Sequence, residues 1–211
     1  MDARMFTVGM IQENCFLFRA DGAERALLVD PGDEAERILA AAEELGVEIE
    51  AILLTHTHFD HVGAVAPVAR ATGAPVWCPE LEVPVLADIN AWTPPGFGPF
   101  ESYDADHTVS GGERLELAGL EIDVIFTPGH SPGHVSYSVP SGQALFSGDV
   151  LFQGSIGRTD LPGGDGPTLM RSIRELVESL PPETRVHPGH MGLTTLGAER
   201  ATNPFLLELA R

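Results

Sequence analysis

Between residues 55 and 61 the chain reads T-H-T-H-F-D-H, directly after the apolar stretch Ala51-Ile52-Leu53-Leu54. Within that run His56, His58, Asp60 and His61 carry side chains that ligate metal ions. If the geometry of a preceding strand continues, the period-2 spacing points the imidazoles of His56 and His58 the same way, while Asp60 and His61 come off the turn that follows. Such an arrangement suits two metal ions better than one. A plain polar surface loop is disfavoured, because histidine is uncommon and a metal-ligand type recurs here at almost every second position.

Three more donors complete the inventory: His130 in T-P-G-H, Asp149 in F-S-G-D and His190 in H-P-G-H, each at the C-terminal end of a predicted strand. Strand ends hold ligands on rigid supports and leave the mouth of a site open. The glycine before each donor lets the backbone turn sharply and present the side chain inward. Two metals roughly 3.5–4 Å apart can share a water, lower its pKa towards neutrality and stabilise the oxyanion forming on a carbonyl carbon. Hydrolysis is the reaction this chemistry serves.

The elements that must position these residues are short. Met5–Val8, Asn14–Arg19 and Ala26–Asp30 read as strands, the last ending in the turn signal D-P-G-D. Asp33 is the expected N-cap of a helix running to Leu45 and stopped by Gly46. The strand before the histidine run, a helix over Val62–Thr72 and a strand over Pro75–Cys78 complete a β-α-β-α-β order. From Pro79 to Asp106 the pattern dissolves into a loop rich in proline, glycine and aromatics, read either as a lid or substrate wall or as a packed excursion over the core. Strands return at Arg114–Leu117, Leu120–Phe126, Val135–Val139 and Ala144–Ser147. A glycine-rich loop to Gly166, a helix over Pro167–Leu180, a strand at Arg185–His187 and one short C-terminal helix follow. Two β-rich halves with helices outside imply a four-layer αββα sandwich, residues 1–211 forming one domain.

At 211 residues the chain can bury a core without structural metal, so a metal here is expected to be catalytic. Thirty-one acidic against 12 basic residues, a net charge of −19, argue against nucleic-acid and anionic-membrane partners. Every basic residue is arginine, which removes Schiff-base and P-loop lysine chemistry. Cys15 and Cys78 form no C-x-x-C motif and read as buried, reduced thiols. The N-terminus has no apolar leader segment and no stretch reaches transmembrane length, so a soluble cytoplasmic protein is expected.

The order H-x-H-x-D-H, then H, D and H, resembles the metallo-β-lactamase superfamily over essentially the whole chain. The resemblance implies the αββα fold and a two-metal site at one edge of the sandwich. Carried over by motif position, His56, His58 and His130 would hold one ion, Asp60, His61 and His190 the other, and Asp149 would bridge them. Zinc suits this donor set, and iron or manganese would also fit.

Within the superfamily, the strings G-S-I-G-R-T-D-L-P-G-G-D at 154–165, P-G-H-M-G at 188–192 and T-L-G-A-E-R-A-T-N-P-F at 195–205 resemble the short glyoxalase II group. That resemblance implies hydrolysis of a hydroxyacyl thioester of the S-lactoylglutathione type by a metal-bridging hydroxide. With about twenty residues following His190, the helical domain that supplies much of the glutathione site in longer members is not expected here, so another small thiol carrier fits too. True β-lactamases typically lack the bridging carboxylate that Asp149 provides, flavodiiron proteins carry glutamate where His58 stands, and RNA-processing members would meet RNA poorly at this charge. The competing class is an oxidoreductase, a persulfide dioxygenase with one iron on His56, His130 and Asp149. Those enzymes usually have cysteine where this chain has His134, which favours the hydrolase.

Asp60, Asp149 and His134 are the candidate catalytic residues. His134 is read either as orienting a ligand or Asp149, or as a strand residue hydrogen-bonded in the core. Asp30 either hydrogen-bonds a ligating imidazole or is an ordinary turn aspartate. Arg158 either grips a substrate carboxylate or pairs internally with Asp160 or Asp165, and Thr159 and Asp160 share that ambiguity as substrate-binding candidates. His107 and His187 are expected to be non-ligands.

Overall fold

A computed structural model describes residues 1–209, with side chains described to Glu208. Its first sheet contains β1 (Asp2–Val8), β2 (Glu13–Arg19), β3 (Arg25–Val29), β4 (Glu48–Leu53), β5 (Val76–Pro79) and β6 (His107–Val109), in that spatial order. Hairpins make β1–β3 antiparallel, and helical crossovers make β3–β6 parallel. The second sheet takes β7 (Arg114–Leu117), β8 (Leu120–Phe126), β9 (Val135–Val139) and β10 (Ala144–Gly148). After a small hairpin of β11 (Leu151–Phe152) and β12 (Ser155–Ile156) it adds β13 (Arg185–Pro188) and β14 (Thr194–Thr195). Its order is β14-β13-β10-β9-β8-β7, with β10 and β13 parallel.

Side-chain alternation along the strands builds the layers. On β2, Phe16 and Phe18 face the second sheet while Cys15 and Leu17 face outward; on β10, Phe146 faces inward and Leu145 outward. Phe146 meets Phe16 edge-on at 5.5 Å between centroids and Phe18 at 4.4 Å, centring the core between the sheets. The outer face of the first sheet is covered by α1 (Ala35–Glu44) and, after the short α2 (Phe59–Val62), by α3 (Val65–Thr72). Following α4 (Val83–Ala87) and α5 (Ile89–Trp92), the outer face of the second sheet packs on α6 (Gly166–Ser179) and on α7 (Leu196–Thr202) and α8 (Pro204–Leu209). The result is the αββα sandwich. No helix among the described residues is long and apolar enough to cross a membrane.

Several local expectations need correction. The helix expected over Val62–Thr72 is broken: the Ala64 N–H donates to the Pro31 carbonyl at 2.9 Å, which takes it out of the intrahelical ladder. Asp60 and His61 therefore lie on α2 rather than on a turn. Asp33 does not cap α1, since its Oδ1 accepts from the adjacent Glu34 N–H at 2.7 Å and Glu34, left-handed at φ 55°, accepts the first helical bonds. The 79–106 segment holds a 3-10 turn at Glu80–Glu82 followed by α4 and α5, short elements whose few residues carry no full amphipathic period. The strand β6, the β11–β12 hairpin and β14 are two or three residues each, too short for an alternation signal. The C-terminal helix is two helices, α7 ending where Asn203 turns out at ψ 121°. Cys15 and Cys78 are buried free thiols, as expected.

Candidate metal centre

All seven expected ligands converge at one end of the sandwich. His56 and His58 follow β4, Asp60 and His61 sit on α2, His130 lies between β8 and β9, Asp149 follows β10 and His190 follows β13. His58 Nδ1 stands 3.1 Å from His56 Nε2 and 2.8 Å from His130 Nε2. On the other side His190 Nε2 lies 3.3 Å from Asp60 Oδ2, and His61 Nε2 lies 4.0 Å from the same oxygen. Asp149 reaches both groups, Oδ2 to His130 Nε2 at 3.4 Å and to His190 Nε2 at 3.5 Å, Oδ1 to His61 Nε2 at 3.3 Å.

This arrangement fits cations in the middle. In each triple, His56–His58–His130 and Asp60–His61–His190, the donor atoms lie within 4.8 Å of one another. Three imidazole nitrogens facing one point cannot all be satisfied by hydrogen bonds among themselves. The buried His61 Nε2 and Asp149 Oδ1 have no hydrogen-bond partner. Burial, then neighbouring imidazoles, pull His56 down and His58 to about 4, favouring the neutral ligating form. For His61 burial acts downward too, yet the carboxylates of Asp149, Asp30 and Asp60 push it well above the ordinary imidazole value. Burial raises Asp149, but His61, His130 and His190 outweigh it and hold the carboxyl far below the usual range. Negative charge is thus fixed where a cation would sit.

The remaining ring nitrogens are tied down, which aims the free ones inward. His130 Nδ1 donates to the Arg158 carbonyl at 2.8 Å and His190 Nδ1 to the Gln12 carbonyl at 3.2 Å. His56 Nδ1 lies 3.0 Å from the Thr55 hydroxyl. Asp30, buried and left-handed at φ 47°, accepts from the Thr55 N–H at 2.7 Å and hydroxyl at 2.6 Å and meets His61 Nδ1 at 3.0 Å. Of the two readings of Asp30, the contact to an imidazole is the one observed. Although Asp30, His56 and His61 also form a close triple, both Asp30 oxygens are already committed.

His134 is fully buried and its Nε2 accepts from the Asp149 backbone N–H at 3.1 Å, while Nδ1 meets the Thr127 hydroxyl at 2.9 Å. It is both a hydrogen-bonded core residue and the support of Asp149. Close packing reinforces the support: a side chain on Gly189 would strike His61 Cε1 and Asp149, and one on Gly157 the Asp149 carbonyl. Arg158 donates from Nε and Nη2 to Asp160 at 2.7 Å each and lines the cavity above the cluster, so it is both paired and open to the cavity. Asp165 instead caps α6, accepting from the Thr168 N–H at 2.8 Å. Asp160 touches the cavity only through Arg158, and Thr159 is not among the lining residues. His187 packs between Phe16 and Phe146, and His107 stacks on Trp77; neither joins the cluster.

Sequence reasoning missed two supports and one buried neighbour of His61. Asn14 Nδ2 donates to the Pro188 and Met191 carbonyls at 3.1 and 2.9 Å, gripping the His190 loop. Glu82 ties together the loops of His58 and His130. Glu13 is wholly buried 3.8 Å from His61 Nδ1, and burial pushes its carboxyl well up. Only the cluster Q-E-N at 12–14, polar residues entering a strand, hinted at any of them.

The family model of the metallo-beta-lactamase superfamily matches residues 8–190, and the chain belongs to that superfamily. Its relatives place it further. A probable metallo-hydrolase of Bacillus subtilis, YqgX, is 41% identical, with 98% of both chains covered, and the hydroxyacylglutathione hydrolase GloC of Haemophilus influenzae is 37% identical, again with 98% of both. Among solved structures, the B3 metallo-beta-lactamase BLEG-1 superposes with a TM-score of 0.92 at 40% identity, covering 97% of this chain and 99% of that one. TTHA1623 in a di-iron-bound form gives 0.80 at 46% identity (96% and 100% covered), and ETHE1 from Myxococcus xanthus 0.78 at 27% (97% and 84%). These likenesses support a hydrolase built on a metal centre, and the di-iron form leaves zinc as one metal among those the donors can hold.

Proposed function

We propose that the protein is a metal-dependent thioester hydrolase acting on hydroxyacyl conjugates of a small thiol. The observation that carries this reading is Asp149 standing between two complete donor triples. His56, His58 and His130 are assigned to one ion, Asp60, His61 and His190 to the other, with Asp149 shared. Metals held there supply Lewis acidity and an activated water. The chain's own residues do the rest. Asp149 keeps the two triples in register, and His134 fixes its peptide. Arg158 is available from the cavity wall to orient the acyl or thiol part. Water oxygen bonds to the carbonyl carbon, the C–S bond breaks with its electron pair on sulfur, and carboxylate and thiol leave with one net proton released to solvent. A thiolate departs readily, so no strong general acid is required of the site. GloC, by its name, acts on such conjugates, which supports the same chemistry here.

The second reading is a mononuclear iron persulfide dioxygenase on His56, His130 and Asp149, favoured by the likeness to ETHE1. Against it stands His134, at the position where those enzymes usually carry cysteine. Metal analysis with a panel of S-lactoylglutathione, a persulfide and a cephalosporin tests all of this, the last included because BLEG-1 is a B3 metallo-beta-lactamase. Two metal ions per chain, thioester turnover and no oxygen uptake are expected. One iron with persulfide-dependent oxygen consumption transfers the assignment to the dioxygenase, and cephalosporin turnover without thioester turnover transfers it to a β-lactamase.

A further inference from the structure

The cavity over the ligand cluster, about 990 Å³, has apolar walls around a polar floor. Of the ten large hydrophobic side chains left exposed among the described residues, Ile11, Leu81, Trp92 and Met191 line it, at 42%, 63%, 57% and 55% exposure. They come from three separate places: the β1–β2 turn, the helical 79–106 segment and the loop after His190. Single exposed apolar side chains are ordinary, whereas several converging on one cavity mark a ligand-binding wall. Charge around it is one-sided. Apart from the clustered histidines, Arg158 is the only cation among the lining residues, and Asp160 already takes its Nε and Nη2. A carboxylate-bearing arm would find one paired cation on a chain of net charge −19.

We propose that the hydroxyacyl group of the thioester taken at this site extends into an uncharged, apolar tail of several carbons, bedded on Trp92, Leu81, Ile11 and Met191. This rests on the thioesterase reading above. Each methylene that leaves water for such a wall contributes alike to ground and transition states, so selectivity appears in kcat/KM.

The test uses the metal-loaded full chain with S-acyl-N-acetylcysteamines from acetyl through butyryl and hexanoyl to octanoyl, and S-lactoylglutathione alongside. The specificity constant is expected to rise about 2–4-fold per added methylene as far as hexanoyl. Trp92→Ala should cut the hexanoyl-to-acetyl ratio about tenfold or more. Binding is read separately with non-hydrolysable alkyl thioethers: a tryptophan emission shift should grow with chain length and vanish in Trp92→Phe, where Trp77 remains. A flat or falling acyl series with all thioesters turned over, or S-lactoylglutathione preferred to the hexanoyl ester, overturns the apolar-tail proposal alone. No turnover of any thioester overturns the thioesterase reading and this proposal with it.

Discussion

The Glu82 carboxylate accepts a hydrogen bond from the Ser131 hydroxyl at 2.7 Å, joining the segment after β5 to the residue next to His130. The same oxygen takes the Gly133 N–H at 2.8 Å, and the other takes the Thr57 hydroxyl at 2.8 Å. One buried carboxylate thus holds both ligand loops and the helical segment that carries the cavity wall. Glu82→Ala leaves these donors buried without it, at a cost of roughly 2–4 kcal/mol. Thermal denaturation should show a midpoint lower by about 5–15 °C. Glu82→Gln, which keeps the shape and one acceptor, should recover part of that loss; an unchanged midpoint in the alanine variant removes the clamp.

Asp149→Ala removes the group shared by both triples. Metal content and thioesterase activity should fall together, by more than the 10–100-fold (order of magnitude) typical of losing an outer support. Full metal occupancy with full activity in this variant would sink the two-metal assignment.

Asp30→Asn tests the outer support of His61. Asparagine tolerates the left-handed backbone, so the change isolates the lost charge. Metal affinity, measured by competition with a chelator, should weaken about 10–100-fold while the fold persists by circular dichroism. Wild-type affinity would leave Asp30 as the support of Thr55 only.

Metal binding should be coupled to proton release. His61 is pushed up by its carboxylates, so the metal-free protein holds a proton there near neutral pH, whereas His58, at about 4, does not. A metal displaces that proton. Affinity should therefore rise with pH, about tenfold per unit for each proton displaced, until the pKa of His61 is passed, and then level off. Calorimetry in buffers of different ionisation enthalpy counts the protons; a pH-independent affinity between pH 6 and 8 contradicts the assignment.

Arg158→Ala should raise KM for S-lactoylglutathione about 3–10-fold, with kcat changing less, if the guanidinium leaves Asp160 for the substrate. An unchanged KM returns Arg158 to an exposed ion pair, which contributes little to stability in any case.

The ligand inventory was legible in the chain itself because each donor is flagged locally. The run His56–His61 follows an apolar strand, and Pro-Gly or Gly precedes each of His130, Asp149 and His190. Strand alternation and helical periodicity likewise announced the four layers. The elements that escaped notice were too short to show a period, as with β6, α4 and α5.

What determines the centre's geometry lies elsewhere. Glu82 and Ser131 stand 49 residues apart in the chain, and Asn14 and Met191 177 apart. No local pattern encodes such pairs. The sequence alone determined which side chains could bind metal and in what layered fold. Only the tertiary structure decided how closely Asp149 approaches both triples, that Glu82 and Asn14 hold the ligand loops, and that Arg158 is already paired. Hydrogen bonds and burial depend on distances in space, and those exist only once the two sheets have packed.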